Sequence, residues 1–557
     1  MLGVLLFSSC AKLDLNPLSE GSSANWYSDE TELSLSLNDL YRTYAWGLEI
    51  DYTTERMTDN WAQRQSAHSF IAGTINSEWT IAEEVWLNSY KAIARANTIL
   101  ANISRAEGKV APLKLKQFAA EARFIRAALY GRLIFLYGDV PFYTTVLDIE
   151  SAFALSRTDK AVILKEVYKD FDLAMADLPQ SYSSSEIKRA TKGAAMAFKA
   201  RTALYMGDWA IARDAAKACM DLNAYQLHSN YGEYFLSKTK NSAETIFAIP
   251  RSFELGVSWN AKNFYTRTPG GSSVAQPSWD IFCAYTCKDG LPIDESPLFD
   301  PKLPFKNRDP RCAMSIVEFG TAHLGYVYDP NPATRRVLNF ATGATVPNKD
   351  TRSVDVFASY NGLTLKKGVD SDWSDNELAD ADIIIMRYAD VLLMYAEAKI
   401  ELNEIDATVL SAINSVRSRA YGVPVTSVNS YPAVTSSSQV AIRKILRNER
   451  RVELMWENRR FDDLIRWRLA EKALTRPNYG LLDPADLLSN IVDKGLWFFP
   501  SVPQIDEDGL ADFSAMANAK QIKVLVPRNF DKSKQYLWPI PSKERIINQN
   551  LTQNPNY

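Results

Sequence analysis

The chain has 557 residues, of which 46% are hydrophobic, so it can bury a large core. Its formal net charge is −3, from 63 basic and 66 acidic residues. This balance excludes the strong basic field typical of nucleic-acid-binding proteins. Three scattered histidines are too few for a histidine-built metal site. We therefore predict no metal, no cofactor and no nucleic-acid partner.

The N-terminus resembles a short secretory signal. An apolar run, Leu2–Phe7, is followed by two serines and then Cys10. A run this short cannot span a bilayer, which needs roughly 20 apolar residues. The pattern predicts a signal remnant, a lipid-attachment cysteine at Cys10 and a tether over residues 1–20. The alternative is an apolar terminus without a targeting role.

Three amphipathic helices follow in the first half of the chain. Trp86, Tyr90 and Ile93 recur at helical spacing and mark the first helix. The second runs through FAAEARFIRAALYGRLIFLYGDVP, where Gly138 and Pro141 stop it. The third is LKEVYKDFDLAMADLP, which ends near a proline.

Two segments have the pattern of tetratricopeptide-like helix pairs. In the first, alanines line one helix, Gly207-Asp208 turns the chain and Trp209 begins the return helix. Small residues on both faces allow close helix packing. The second pair is expected in RYADVLLMYAEAKIELNEIDATVLSAINSVRSRAYG, with its turn near Asn403.

The middle of the chain, about 223–385, is rich in Gly, Pro, Asn and Ser. Long irregular segments in compact proteins are usually functional. Cys283 and Cys287 in this region can form a local disulfide or stay as buried free thiols, and the sequence leaves both open.

The segment RNERRVELMWENRRFDDLIRW, residues 447–467, interleaves arginines with acids. A glycosidase needs two carboxylates on opposite sides of a cleft, whereas Glu449, Glu453 and Glu457 are expected on one helical stripe. A nucleic-acid helix would carry unbalanced positive charge. Alternating Arg and Glu instead suit bidentate ion pairs that hold helices and loops together. We interpret this segment as a structural scaffold.

The same segment resembles the signature of the SusD/RagB family of nutrient-binding outer-membrane lipoproteins. The family pattern is roughly E-R-x-x-E-L-x-x-E-G-x-R-x-x-D-L-x-R-W. The matching residues are Glu449, Arg450, Glu453, Leu454, Glu457, Arg460, Asp463, Leu464, Arg466 and Trp467. Asn458 stands where glycine is usual, and Asn tolerates a left-handed backbone better than most residues.

Further similar segments occur in order along nearly the whole chain. They are KLDLNP after Cys10, Trp86–Asn97, Glu121–Pro141, Asn307–Arg311, Arg387–Ala398 and the tail Leu537–Tyr557. The resemblance implies a mostly α-helical fold, in which tetratricopeptide-like helix pairs pack against an irregular loop-rich region with a few short strands. It implies a single domain over 21–557, with a helical part at about 30–222 and 386–470. The loop-rich, ligand-binding part is expected at about 223–385 and 471–557.

The resemblance also implies a role. The protein would be lipid-anchored on the outer membrane and exposed at the cell surface. It would capture oligosaccharides for a SusC-like TonB-dependent transporter and would have no catalytic activity. Three alternatives stay open: a binder of peptides or other nutrients, a glycan hydrolase built on loop carboxylates such as Asp59 and Asp372, and an interaction scaffold that binds proteins through the surface of the helix pairs.

Candidate ligand contacts are chosen by chemistry. A sugar ring presents CH faces to aromatic side chains and hydroxyl groups to planar polar ones. Such residues occur in the loop TDNWAQRQ, just before the first helix, and in the polar segments of the middle region. They are Asp59, Trp61, Arg64, Trp79, Trp259, Tyr265 and Trp373. We predict that two of the four tryptophans in this set share one surface groove.

Overall fold

The computed structural model describes residues 25–50, 52–64, 66–183 and 188–557. Cys10 and the rest of the predicted signal and tether lie outside these residues. The first half is helical, and the helices predicted from the sequence are confirmed as α2, α3 and α5. The helices are α1 Glu30–Leu40, α2 Thr80–Asn102, α3 Pro112–Tyr137, α4 Ile149–Phe153, α5 Lys160–Asp177, α6 Lys192–Met206 and α7 Trp209–Asp221.

Short helices punctuate the middle of the chain, and longer ones return after it. The middle has α8 Tyr231–Tyr234, α9 Trp279–Ala284, α10 Pro310–Ser315 and α11 Trp373–Asn376. The second helical part has α12 Tyr388–Glu401, α13 Ala407–Ala420, α14 Gln439–Glu453, α15 Arg460–Arg466 and α16 Ala470–Ala473. The C-terminal part has α17 Pro484–Leu487, α18 Ser514–Asn518 and α19 Ser542–Ile547.

The strands of the described residues are short and form six two-stranded antiparallel ladders. The strands are β1 Thr245–Ile249, β2 Trp259–Asn260, β3 Thr321–His323, β4 Tyr326–Tyr328, β5 Arg336–Leu338, β6 Thr345–Pro347, β7 Leu378–Ala379, β8 Ile383–Arg387, β9 Asn478–Gly480, β10 Gln504–Ile505, β11 Ala511–Asp512 and β12 Lys523–Val526. The pairs are β1 with β8, β2 with β7, β3 with β4, β5 with β6, β9 with β12, and β10 with β11.

Both predicted helix pairs are present. In the first, Gly207 takes a left-handed φ of 82° between α6 and α7, and the buried alanines of the two helices face each other. In the second, Asn403 has a φ of 57° between α12 and α13. Glycine and asparagine, the two residues that adopt this conformation most readily, follow the first helix of each pair, so the turns follow directly from the sequence.

Two hydrophobic clusters organise the packing. One joins α1–α3, α5–α7 and α12–α15 with the β1–β8 ladder. The other lies mainly in the loop-rich segments 261–379 and 481–522, and takes in Trp61 and Val452–Trp456. The domain boundaries drawn from the sequence stay predictions. No helix in the described ranges combines the length and apolar character needed to cross a bilayer.

The Arg/Glu segment is a buried scaffold, as interpreted from the sequence. Arg387 donates to Glu453 and Glu457 at 2.7 and 2.6 Å and to Glu244 at 2.7 Å. Arg311 adds bonds to Glu449 and Glu453 at 2.7 and 2.9 Å. These ion pairs, which we call the ion network, join α14 to the middle loops and to β8. Every one of these side chains is at most 10% exposed.

One expectation about this segment is wrong. Glu457 does not share a helical stripe with Glu449 and Glu453, because α14 ends at Glu453 and α15 begins at Arg460. Between them, Trp456 and Asn458 take positive φ values of 60° and 58°. The chain therefore turns, and Glu457 reaches Arg387 from the turn instead of from the helix.

The thiol alternatives are resolved for the described cysteines. Cys219, Cys283, Cys287 and Cys312 are free and buried. Burial raises the pKa of the Cys312 thiol to about 12, which suits an inert core residue.

Candidate functional site

Six aromatic side chains form one continuous cluster, which we call the aromatic cluster: Tyr52, Trp61, Trp259, Phe264, Trp373 and Trp456. Trp61 stacks on Trp456 with ring centroids 4.6 Å apart and an interplanar angle of 16°. Tyr52 links Trp456 to Phe264 at 5.2 and 5.1 Å. Trp259 then contacts Phe264 at 4.7 Å and Trp373 at 5.4 Å. The cluster thus gathers residues from distant parts of the chain.

Four of these rings line a cavity of about 100 Å³, which we call the recess. Its lining mixes the aromatic rings with aliphatic side chains and a few charged groups. The lining residues are Glu49, Tyr52, Phe235, Arg251, Trp259, Lys367, Gly368, Trp373, Ala381, Asp382, Ile383, Ile384, Trp456, Glu457 and Asn458. All of them are buried or half-buried. A concave, largely apolar site with a few polar groups is the usual form of a small-ligand site.

The turn between α14 and α15 builds one wall of the recess. Trp456 and Tyr52 have φ values of 60° and 58°, which is uncommon for bulky side chains. Such strain costs of order 1–3 kcal/mol per residue and is concentrated at functional sites. Asn458 fixes the arrangement, because its Oδ1 accepts from the Thr54 N–H at 3.0 Å and its Nδ2 donates to the Glu49 carbonyl at 3.2 Å. These bonds hold the loop that carries Tyr52 against Trp456.

The floor is charged but internally paired. Lys367 Nζ donates to Glu457 Oε1 at 2.5 Å and to the Met455 carbonyl at 2.6 Å, and it lies 4.1 Å from the centre of the Phe235 ring. Burial alone would raise the pKa of Glu457, but Arg387 and Lys367 lower it below its usual value. The floor is therefore ionised and joined directly to the ion network.

The rim has a different character. The Arg251 guanidinium lies over the Trp259 ring at 5.2 Å from its centroid. The backbone N–H of Arg251 donates to Asp382 Oδ1 at 3.1 Å. The indole N–H groups of Trp259, Trp373 and Trp456 have no hydrogen-bond partner within the described part of the chain. A buried donor left unpaired costs about 1–3 kcal/mol. These three nitrogens expose no surface to the recess, so they are a cost to the fold, and the polar surface that a ligand can reach comes from the charged side chains of the lining.

Three of the seven residues proposed from the sequence belong to this site. Trp259 and Trp373 line the same recess, and Trp61 supports Trp456 from behind. The hypothesis of a groove shared by two tryptophans fits this placement, while ligand contact by either of them stays a prediction.

The other four residues lie elsewhere and are held by protein contacts. Asp59 is buried and accepts from Arg451 and Arg460 at 2.8 and 2.7 Å. Burial would raise the pKa of Asp59, but these two guanidinium groups hold it well below its usual range. Its carboxylate is thus committed to the fold and has no oxygen facing a groove.

Arg64, Trp79 and Tyr265 are likewise separated from the recess. Arg64 donates to the carbonyls of Ser272 and Phe357 at 2.8 and 2.9 Å. Trp79 packs against Trp538 at 4.8 Å, and Tyr265 is 1% exposed. These residues were proposed because their loops are rich in aromatic and polar side chains. Tight packing of irregular backbone needs the same residue types.

Sequence reasoning missed Tyr52 and Trp456. The helical stripe expected for Glu449, Glu453 and Glu457 implies a continuous helix through Trp456, and this hides the turn at that residue. The available signal was Asn458, whose tolerance of a left-handed backbone marks a turn at that position. In the described residues, no group of three or more His, Cys, Asp or Glu side chains is arranged to hold a metal ion.

Comparison with known proteins identifies the family. The family profile described as "SusD family" matches residues 217–557. The chain belongs to the SusD family. A second profile, "Starch-binding associating with outer membrane", matches residues 14–204. The chain is thus a member of a carbohydrate-binding family that is associated with the outer membrane.

Individual relatives agree with this assignment. SusD-like protein P25 of Formosa agariphila is 29% identical over 69% of this chain and 70% of its own length. SusD-like protein P2 of the same organism is 24% identical over 100% of this chain and 98% of its own length.

A solved structure confirms the predicted fold class. A SusD-like carbohydrate-binding protein from Bacteroides fragilis superposes with a TM-score of 0.77 at 28% identity, and the match covers 94% of this chain and 99% of that one. The expectation of a mostly helical SusD-like fold is therefore confirmed.

Proposed function

We propose that this SusD-family protein captures glycans at the cell surface through the recess. The observation that carries the proposal is the convergence of Trp259, Trp373, Trp456 and Tyr52 on one concave site that also holds charged side chains. Aromatic faces suit the CH faces of sugar rings, and charged groups suit their hydroxyl groups. The carbohydrate-binding structural relative from Bacteroides fragilis supports the same ligand class.

The deciding experiment is electrophoresis of the purified protein in gels that contain plant, host or microbial polysaccharides. We expect one polysaccharide to retard the protein and Trp259→Ala to abolish the retardation. Trp259 is half-buried, so its removal disturbs the packing less than removal of the buried Trp373 or Trp456 would. Trp209→Ala is the matched control, because Trp209 is half-buried on α7, outside the recess. Retardation of neither protein by any glycan would favour peptides or other nutrients as ligands.

The protein is further proposed to deliver its ligand to a SusC-like TonB-dependent transporter while anchored by lipid at Cys10. The support is the family assignment together with the apolar run before Cys10 and KLDLNP after it. Cys10→Ser should release the protein from the outer-membrane fraction. Capture of the wild-type protein from detergent-solubilised membranes should co-purify a TonB-dependent transporter.

We propose that binding occurs without catalysis. The hydrolase alternative used Asp59, which is buried and bonded to Arg451 and Arg460 and is therefore unavailable as a general acid or base. Asp372 is exposed and immediately precedes α11. Incubation with the retained polysaccharide should release no reducing ends. Release of oligosaccharides that Asp372→Asn abolishes would overturn this part of the proposal.

A further inference from the structure

A second concavity, which we call the helical groove, lies where the short 3₁₀ helix Thr43–Glu49 packs on α2. Its volume is about 320 Å³, against about 100 Å³ for the recess, and the two share no lining residue. The lining residues are Thr43, Tyr44, Gly47, Leu48, Ile50, Thr53, Ile81, Glu84, Val85, Asn88 and Arg132. Thr43, Gly47 and Glu84 are exposed, so the groove opens to solvent along this edge.

The buried part of this lining is apolar. Leu48 and Val85 are buried, and Ile50 and Ile81 are half-buried. Tyr44 adds an aromatic ring, which hydrogen bonds of its hydroxyl group hold in place. Aliphatic and aromatic surfaces of this kind suit the CH face of a sugar ring.

The polar groups that a ligand can reach lie on α2. Glu84 and Asn88 are four residues apart, so their side chains are neighbours on the helix surface. Glu84 is exposed and Asn88 half-buried, and neither has a hydrogen-bond or ion-pair partner within the ranges that the structure describes. Arg132, by contrast, is bonded to Glu49 and to the Ala45 carbonyl and forms a fixed part of the wall. A carboxylate accepts from hydroxyl groups, whereas an amide both donates and accepts.

The volume of the helical groove agrees with this chemistry. Small-ligand sites have volumes of roughly 300–1,000 Å³. A hexose has about twice as many non-hydrogen atoms as benzene, and the groove has about twice the volume of an engineered cavity that holds one benzene molecule. One sugar ring therefore fills the groove, and the rest of a glycan can leave through the open edge.

We propose that the helical groove is a second sugar-binding site, which takes one ring of a neutral glycan. The ligand class rests on the proposed glycan capture, but the site lies outside the recess. Neighbouring hydroxyl groups of the sugar donate to Glu84 and accept from Asn88, while the CH face packs on the apolar part of the lining. Arg132 is paired with Glu49, so the carboxylate of Glu84 makes the groove negative and disfavours acidic sugars.

The first test uses the wild-type protein with isotope-labelled isoleucine methyl groups. Ile50 and Ile81 line the helical groove and give the groove signals, whereas Ile383 and Ile384 line the recess and give the recess signals. The probe is a trisaccharide prepared from the polysaccharide that is retained in the gels. We expect the groove signals to shift in a saturable manner when the trisaccharide is added. Shifts confined to the recess signals would overturn the second site.

The second test fills the helical groove with the variant Gly47→Phe. A Cβ atom at Gly47 meets no atom within 4 Å and the residue has no positive φ, so the backbone accepts a side chain there. We expect binding measured on the groove signals to weaken at least about 10-fold, while the recess signals respond as in the wild type. Ala322→Phe, at an exposed alanine on β3, is the matched control and should leave both responses unchanged. Equal titration curves for the groove signals of both variants would contradict the proposal.

The third test concerns charge. Measured on the groove signals, the wild type should bind the neutral trisaccharide about 5-fold more tightly than an analogue in which one sugar is a uronic acid. Glu84→Gln should reduce this ratio to about 2-fold or less, because it removes the like charge. Glu107→Gln, at an exposed carboxylate after α2, is the control and should keep the wild-type ratio. An unchanged ratio in Glu84→Gln would overturn the contact assigned to this carboxylate.

The outcomes separate the two proposals. If only the recess signals shift, glycan capture stands and the second site fails. If only the groove signals shift, the helical groove is the sugar site and the recess loses its proposed role. If no polysaccharide retards the wild-type protein, neutral disaccharides are titrated directly, and unchanged groove signals then overturn both proposals.

Discussion

The ion network and the recess are neighbours that differ in how their buried polar groups are paired. In the network, Arg387 bonds to Glu244, Glu453 and Glu457 at once. In the recess, indole donors lack partners and two bulky residues have a left-handed backbone. Glu457 belongs to both regions. The comparison shows that paired buried charges stabilise the fold, while the neighbouring recess carries unpaired donors and backbone strain as a cost to it.

The largest effect is expected from breaking the network. Arg387→Met removes a cation that three buried carboxylates share, and an uncompensated charge left in a buried network costs about 3–5 kcal/mol. The free energy of unfolding in urea should fall by that amount. Lys217→Met, which breaks the exposed pair with Asp221 on α7, is the control and should leave it nearly unchanged. Similar effects for both variants would contradict the role given to the network.

The next effect tests Glu55, a buried carboxyl beside the turn of the recess. Burial raises its pKa from 4.5 to about 7, and its Oε1 has no partner in the described residues. The folded state therefore binds more protons than the unfolded state between these pH values, and this group makes stability fall as pH rises through that window. The full penalty, on the order of 3 kcal/mol, is present at pH 8.

Glu55→Gln should remove this penalty. The variant should be more stable than the wild type at pH 8 and equal to it near pH 4, as measured by urea unfolding at both values. Glu254→Gln, on an exposed turn, is the control and should leave stability unchanged at either pH. A wild-type advantage at pH 8 would show that Glu55 is ionised and well paired.

A smaller effect separates the backbone of Asn458 from its side chain. Asn458→Gly keeps the positive φ but loses the bonds to Thr54 and Glu49, which should cost about 1–2 kcal/mol of stability. Asn458→Ala should lose about 1 kcal/mol more, because alanine is strained at this φ. Both variants should bind glycan more weakly, since Tyr52 is no longer held against Trp456. Equal stability of Gly and Ala variants would argue against backbone strain here.

The smallest effect concerns the helical region. Gly207→Ala at the α6–α7 turn meets no atom within 4 Å, so its cost of about 1 kcal/mol comes from the φ of 82° alone. Gly47→Ala also meets no atom within 4 Å and has no positive φ. It should therefore change the thermal midpoint little, while Gly207→Ala lowers it by a few degrees. Glycan binding should be unaffected by Gly207→Ala.

The sequence determined the helical architecture and the family. The local signals were helical periodicity, the turn residues Gly207 and Asn403, and the Arg/Glu segment. The helices and turns lie where these local preferences predict them. The scaffold interpretation also held, because alternating Arg and Glu cannot be buried unless they pair.

Only the tertiary structure decided which aromatic residues meet. Tyr52, Trp259, Trp373 and Trp456 come from four distant segments, and no short-range pattern links them. It was also the tertiary structure that buried Asp59 between two arginines and ended α14 before Glu457. Contacts between side chains that are far apart in sequence depend on how the irregular loops pack. The composition of those loops indicates which residue types a site contains but not where they lie.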